Sequence, residues 1–263
     1  MNKFHIVCTS FNNEKWTEAC LSSILNQTYT NYQILFIDDC SIDNTYEIAT
    51  EIAKDYDQLT VIKNKYRRRR AYNIMMFNDI IPKDNEDIIT FVDGDDWLYD
   101  ETILEKINNE YENNDYWMTY GQFVIWPLGN KTKTHGTKYS DDVINNNLFR
   151  QDIWRASHLR TFKWFLYKNI NKNDIKDNNN NYYTMCEDLI TSFACLEMSP
   201  KEKIGVIDYI TYIYNGDIEN RNKIKNQYIN DNENEAWHKV EKDIRNKKSY
   251  TKKTKEELIW SQN

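Results

Sequence analysis

The sequence predicts an α/β fold in which helices flank a central, mostly parallel β-sheet. Over the first 125 residues, short apolar runs alternate with segments of helical periodicity. Strands that alternate with helices of about 10–15 residues are typical of right-handed βαβ units. Composition agrees, because a chain of 263 residues that is 40% hydrophobic and 14% aromatic can bury a sizeable core.

Five apolar runs in this segment are predicted to be strands. Each is short, rich in Ile, Val, Phe or Tyr, and followed by polar residues. The predicted strands are Phe4–Cys8, Gln33–Ile37, Leu59–Ile62, Ile88–Val92 and Tyr116–Ile125. Between them, apolar residues recur three or four positions apart, as in an amphipathic helix. The predicted helices are Trp16–Leu25, Thr45–Lys54, Ala71–Ile81 and Thr102–Tyr111.

After Pro127 the alternation breaks. A polar, turn-rich segment is followed by a dense aromatic and basic stretch and then by a predicted helix, Glu187–Met198. Two strands are predicted next, at 204–207 and 209–214, and two charged helices, within 231–248 and 252–260. We therefore expect one domain over residues 1–220, with halves 1–125 and 126–220, and a charged helical extension over 221–263.

Charge and hydropathy exclude several classes of protein. The net charge of −7 disfavours a nucleic-acid partner, and no run of 18 apolar residues could span a membrane. The first apolar stretch is too short for a secretory signal. The five cysteines lack metal-ligand spacing, so we expect free thiols in a cytoplasmic protein.

The strongest motif is an acidic turn directly after the fourth predicted strand, Asp93-Gly94-Asp95-Asp96. Ligands of open α/β sheets bind beyond the carboxyl ends of the strands. Three crowded carboxylates repel one another, and a divalent cation that also binds phosphate oxygens would relieve this repulsion. The alternative is an acidic turn that caps a helix.

A second acidic pair, Asp38-Asp39, follows the second predicted strand. Ser41 and Asp43 are explained as caps of the next helix, whereas the adjacent carboxylates are not. One of them could accept a hydrogen bond from the N3–H of a uracil ring.

Together these motifs resemble the family 2 glycosyltransferases of the GT-A fold. The resemblance covers residues 3–215 and rests on the motifs IVCTSFN with LSSILNQTY, FIDDCSIDNT, FVDGDDW, SHLRTF and TMCEDLITSFACLEM. It implies an inverting transfer of a sugar from a UDP-sugar, with a DxD-type metal motif. Cys40 replaces the usual Gly, and the QxxRW motif of processive synthases is missing.

The resemblance also implies residue roles. Asp188 resembles the catalytic base, and Asp95 the ligand of Mn²⁺ or Mg²⁺, with Asp96 beside it. The residues implied at or next to the nucleotide sugar are Thr9, Ser10, Asp38, Asp39, Asp93 and Gly94.

Basic and aromatic residues complete the predicted site. In the run Arg67–Arg70, Arg68 and Arg70 are expected to face the diphosphate, although a solvated charge run or a nucleic-acid patch is the alternative. Arg160 is expected near the leaving group, and His158 either binds the metal or the diphosphate or is a packed, hydrogen-bonded histidine. Trp126, Trp154 and Trp164 either stack on an acceptor sugar or belong to the core.

The sequence thus predicts a metal-dependent inverting transferase that moves a sugar from a UDP-sugar to a hydroxyl of a glycan, lipid or glycoprotein. A nucleotidyltransferase is the alternative enzyme, but it would need a Gly-rich loop where TSFNNEK stands. A non-catalytic nucleotide- or carbohydrate-binding module is the other alternative. Trp237, Val240 and Ile244 lie at helical spacing in the basic extension, which predicts either weak peripheral membrane contact or packing on the domain.

Overall fold

The computed structural model describes residues 1–81, 83–131, 134–217 and 233–261. The described strands form one mixed sheet. They are β1 (Phe4–Ser10), β2 (Tyr32–Asp38), β3 (Leu59–Lys63), β4 (Ile88–Asp93), β5 (Trp97–Leu98), β6 (Met118–Trp126), β7 (Asn130–Lys131), β8 (Thr161–Lys163) and β9 (Ile204–Asn215). Their order across the sheet is β3-β2-β1-β4-β8-β6-β9-β5, and β7 pairs with β6.

Helices cover both faces of the sheet. They are α1 (Thr17–Leu25), α2 (Thr45–Ala53), α3 (Arg70–Ile80), α4 (Ile103–Asn114), α5 (Asp141–Asn145), α6 (Trp164–Tyr167), α7 (Glu187–Met198), α8 (Glu233–Asn246) and α9 (Lys255–Ile259). The α/β class predicted from the periodicity is confirmed, and the first four strands pair in parallel as βαβ units require.

Two differences from the sequence prediction concern the second half of the sheet. β8 is a three-residue antiparallel strand between β4 and β6, inside the stretch predicted only as aromatic and basic. The two strands predicted at 204–214 are one strand, β9, whose pairing with β6 shifts register beside Gln122. Such a bulge interrupts the alternation of side chains, so a single strand looks like two.

Alternate residues of the central strands supply two cores. Ile6 and Phe36 pack with α1, α2 and α4 on one face, whereas Val7 and Leu35 pack with α3, α6 and α7 on the other. This alternation is the period-two pattern of a strand buried on both sides.

The described part of the basic extension packs on the second of these faces. Ile244 of α8 and Leu258 of α9 are fully buried there, and the Arg150 guanidinium donates to the Ile244 carbonyl at 2.7 Å. Of the two alternatives predicted for the extension, membrane contact or packing on the domain, its described part shows the packing. Residues 218–232 lie outside the described residues. No helix in the described residues is long and apolar enough to cross a membrane. All five cysteines are free thiols.

Candidate active site

The carboxyl ends of β1, β2 and β4 meet at one edge of the sheet. Ser10 pairs in register with Asp38, and Thr9 pairs with Asp93. The first strands therefore bring together polar residues from three motifs that are far apart in the sequence. This convergence follows from parallel pairing, because all carboxyl ends then point the same way.

The acidic turn is fastened to the end of β1. The backbone N–H of Gly94 donates to the Thr9 carbonyl at 2.9 Å. A Cβ atom at position 94 would lie 2.4 Å from Ser10 Oγ, so only glycine allows this approach. The same turn places the partly exposed Asp93 and Asp95 at the edge of the sheet.

Asp96 faces inward, away from the position expected of a metal ligand. Its carboxylate is buried and accepts hydrogen bonds from the Tyr212 hydroxyl at 2.9 Å and from the Asn215 backbone at 2.7 Å. Burial raises the pKa of Asp96 well above its ordinary value, and the charges of Asp95 and Asp93 raise it further. Asp96 thus braces the turn against β9, and Asp95 remains the better candidate ligand.

Asp39 organises the arginine-rich loop. Its Oδ1 accepts from Asn64 Nδ2 and from the Arg68 backbone, both at 2.8 Å, and its Oδ2 accepts from the Arg69 backbone at 2.8 Å. Asp38 is fully buried and accepts from the Ser41 backbone at 3.0 Å. Burial raises the pKa of Asp38. Both carboxylates therefore shape the loops at this edge, and one lone-pair direction of Asp39 Oδ2 is left for a ligand.

Cys40 follows this pair with φ of 70°. That left-handed conformation is the one for which glycine is favoured, and it accounts for the glycine usual in the resembling family.

The four arginines have different surroundings. The Arg67 guanidinium lies 3.7 Å from the ring centroid of Phe11, and that of Arg68 lies 5.1 Å from the ring of Tyr72. Arg70 begins α3 and forms ion pairs with Asp93 at 2.8 Å and Glu187 at 2.5 Å. Arg70 was expected to bind diphosphate, but its two terminal nitrogens already hold carboxylates.

Asp188 lies in the first turn of α7, where the helix dipole favours a carboxylate. Its Oδ2 lies 3.5 Å from Nη1 of Arg160, and its side chain is 28% exposed, against 6% for the neighbouring Glu187. Arg160 itself is buried. Of the two adjacent acids, Asp188 is the one that an acceptor could reach.

His158 is buried among aromatic rings. It stacks on Tyr212 with ring centroids 4.5 Å apart and contacts Phe123 edge-on at 5.7 Å. Burial lowers its pKa well below the ordinary value, and Arg160 and Arg70 lower it further. This packing agrees with the packed alternative. The buried Nδ1 atom of His158 has no hydrogen-bond partner, so its capacity for one hydrogen bond is unused.

His135 lies near Asp188 and Arg160, a position that the sequence did not predict. Its ring lies 5.8 Å from Phe123, on the same aromatic side chain that His158 contacts. Burial lowers its pKa, the Asp188 charge opposes that effect, and Arg160 lowers the pKa again. His135 lies in a turn-rich segment without a recognisable motif, so no local pattern predicts a role for it.

The acidic turn supplies only part of the ligand shell of a metal ion. Among the described residues, no three His, Cys, Asp or Glu side chains are grouped so that they could hold a metal ion. Mg²⁺ characteristically takes one or two carboxylates and completes its shell with phosphate oxygens and water. Asp95, with Asp93 beside it, fits this partial donor set, whereas Asp96 does not.

Two of the three tryptophans considered as sugar platforms belong to the core. Trp154 packs on Phe193 at 5.4 Å, and Trp164 packs on Phe77 at 6.3 Å. Trp126 is 39% exposed.

The mixed sheet with helices on both faces is the GT-A fold of glycosyltransferases. The structure superimposes with a TM-score of 0.58 on Staphylococcus aureus TarS 1-349 in complex with UDP-GlcNAc, at 18% identity over 81% of this chain and 58% of that one. It also matches the mannosyltransferase PcManGT from Pyrobaculum calidifontis in complex with GDP-Man and Mn²⁺, with a TM-score of 0.54, 15% identity and coverage of 94% and 66%.

The sequence profile of glycosyl transferase family 2 matches residues 5–184, and the chain belongs to that family. It is similar to the poly(ribitol-phosphate) beta-N-acetylglucosaminyltransferase TarP of Staphylococcus aureus, with 27% identity over 87% of this chain and 69% of TarP. It is also similar to the glycosyltransferase GlyA of Streptococcus pneumoniae, with 25% identity over 61% of this chain. The chain spans only 23% of the length of GlyA.

Proposed function

We propose that this protein transfers a sugar from a UDP-sugar to an acceptor hydroxyl, with inversion at the anomeric carbon. The observation that carries the proposal is the position of Asp188. Its partly exposed carboxylate stands at the start of α7, and Arg70 links that helix end to Asp93 in the acidic turn. Arg70 thereby connects the proposed proton acceptor to the proposed nucleotide-binding edge.

The donor half of the proposal rests on the edge of β1, β2 and β4. Thr9, Asp39 and the loop that Asp39 holds would receive the uridine, which leaves the diphosphate near the acidic turn. Asp95, with Asp93, would hold Mn²⁺ or Mg²⁺, which neutralises charge on a departing diphosphate. TarS in complex with UDP-GlcNAc and PcManGT in complex with GDP-Man and Mn²⁺ support this assignment by likeness of fold.

The catalytic half rests on α7. Asp188 takes the proton from the acceptor hydroxyl as the oxygen forms its bond to the anomeric carbon. The bond from that carbon to the diphosphate oxygen breaks in the same displacement, and UDP leaves. Arg160 lies 3.5 Å from the Asp188 carboxylate and would orient it toward the acceptor.

UDP release tests the function. The protein with Mn²⁺ should release UDP from at least one common UDP-sugar, and a glycan, lipid-linked or glycoprotein acceptor should accelerate the release. Asp95→Asn should abolish it, and so should excess EDTA. Full turnover in EDTA would refute metal dependence. If no UDP-, GDP- or dTDP-sugar is hydrolysed or transferred, the protein is a non-catalytic binding module and not an enzyme.

A further inference from the structure

Three tryptophans contact one another at the carboxyl edge of the sheet. The rings of Trp16 and Trp97 stack with centroids 5.8 Å apart at 28°. Trp126 lies 5.3 Å from Trp16 and 5.9 Å from Trp97. We call these residues the tryptophan cluster. Trp126 is 39% exposed, and the other two are half-buried.

The hydrophobic core does not use the tryptophan cluster. Trp117, Trp154 and Trp164 lie in or against the core on the α7 face. Within the described residues, none of the cluster's indoles belongs to either core. Contiguous apolar surface that the core leaves half-exposed is typical of ligand-binding surfaces.

The tryptophan cluster adjoins the acidic turn. Trp97 directly follows Asp96, and one residue separates it from Asp95, so the two Cα atoms are at most about 7 Å apart. Trp126 pairs in register with Asn215, whose backbone N–H binds the Asp96 carboxylate at 2.7 Å. The cluster therefore continues the nucleotide-binding edge toward β6 and β9.

Charged groups border the indoles. The Lys15 ammonium lies 4.5 Å from the ring centroid of Trp16 and forms an ion pair with Asp217 at 2.7 Å. A pyranose ring presents both an apolar C–H face and polar hydroxyls. The electron-rich face of an indole suits the C–H groups, and the neighbouring ion pair can exchange hydrogen bonds with hydroxyls.

We propose that the tryptophan cluster is a subsite that binds a pyranose ring of the acceptor glycan, beside the unit that receives the transferred sugar. This inference rests on the proposed function and deepens it, because it names the acceptor as a carbohydrate chain. The ring lies against Trp126, the most exposed of the three indoles, and Lys15 and Asp217 contact its hydroxyls.

Saturation-transfer NMR with cellobiose and N,N′-diacetylchitobiose tests the subsite directly. The wild-type protein should bind at least one of these disaccharides, and Trp126→Ala should weaken that binding about tenfold or more. Trp237→Ala is the matched control, because Trp237 on α8 is 41% exposed and lies outside the cluster. It should bind as the wild type does. Both variants should retain wild-type affinity for UDP by calorimetry, which shows that the donor edge is intact.

Three results would overturn the subsite. The first is that neither disaccharide binds at about 20 mM, a concentration at which millimolar affinities are visible. The second is that Trp126→Ala binds as well as the wild type. The third is that Trp126→Ala converts a wild-type dimer to a monomer. The last would identify the cluster as a contact between copies. Disaccharide binding is measured independently of catalysis. If binding depends on Trp126 but the protein releases no UDP, the subsite stands and the proposed transferase function is refuted.

Discussion

Arg70 shows how one side chain can join two motifs that are far apart in the sequence. It bridges Asp93 of the acidic turn and Glu187 at the start of α7. Burial lowers the pKa of Arg70, but the charges of Asp93 and Glu187 outweigh that effect and raise it. The guanidinium therefore stays charged, and it positions the neighbouring Asp188 by holding the end of α7.

We expect strong coupling between Arg70 and Glu187. In a double-mutant cycle with Arg70→Gln and Glu187→Gln, urea unfolding should give an interaction free energy of about 1–3 kcal/mol. The physical reason is that Arg70→Gln leaves the buried Glu187 carboxylate without its ion pair, a loss that no longer arises once Glu187 is replaced by glutamine.

Arg68→Gln with Glu187→Gln is the control cycle, because the Arg68 guanidinium lies over Tyr72 instead. Its interaction free energy should be near zero. Additive effects of Arg70→Gln and Glu187→Gln would contradict the bridging role.

At the scale of elements, the acidic turn and β9 support each other. The Asp96 carboxylate accepts hydrogen bonds from the Tyr212 hydroxyl and from the Asn215 backbone N–H, and the Tyr212 hydroxyl oxygen in turn accepts one from the Asp93 backbone N–H at 3.0 Å. A single strand thus fixes both ends of the motif.

Asp95 and Asp96 should therefore respond differently to substitution. Asp96→Ala leaves buried partners unsatisfied and should cost about 1–3 kcal/mol of unfolding free energy. Asp95→Asn should stay within about 0.5 kcal/mol of wild type, since Asp95 is partly exposed. Urea unfolding checks both, and a Mn²⁺ titration in the presence of UDP should show the loss of metal binding in Asp95→Asn. An unstable Asp95→Asn beside a stable Asp96→Ala would reverse these assignments.

The sequence predicted the elements that carry a local signal and missed those that do not. The βαβ half follows from its periodicity, and its strand ends place Thr9, Asp39 and Asp93 together. β8 could not be predicted, because three residues become a strand only through pairing with β4 and β6. The inward direction of Asp96 depends on Tyr212, a partner 116 residues away that no motif indicates.

At the scale of the whole molecule, stability should depend on buried histidines. His5 is fully buried, and its Nε2 lies 2.7 Å from Asp87 Oδ2. Burial lowers the pKa of His5, although Asp87 opposes this effect. In the unfolded chain histidine takes a proton near pH 6.5, whereas folded His5 stays neutral to lower pH. The unfolded state then binds more protons, so the contribution of His5 to stability falls on acidification below pH 6.5.

The difference in unfolding free energy between wild type and His5→Gln measures this contribution. We expect the difference to shrink from pH 7.5 to 5.5, by at most about 1.4 kcal/mol for each pH unit below the unfolded pKa. His238→Gln is the control, because the His238 side chain is 73% exposed on α8. If the difference in unfolding free energy between wild type and His5→Gln does not change with pH, folding does not lower the pKa of His5.

The most direct test of the account is the rate of sugar transfer by Asp188→Asn. Asparagine keeps the size of aspartate but cannot take the proton from an acceptor hydroxyl, so kcat should fall about 10²–10⁴-fold. Affinity for the UDP-sugar, measured by calorimetry, should be unchanged. Asp141→Asn, in the first turn of α5, is the matched control and should retain full activity, because its side chain is 71% exposed. Retention by Asp188→Asn of more than about a tenth of wild-type kcat would place the base elsewhere.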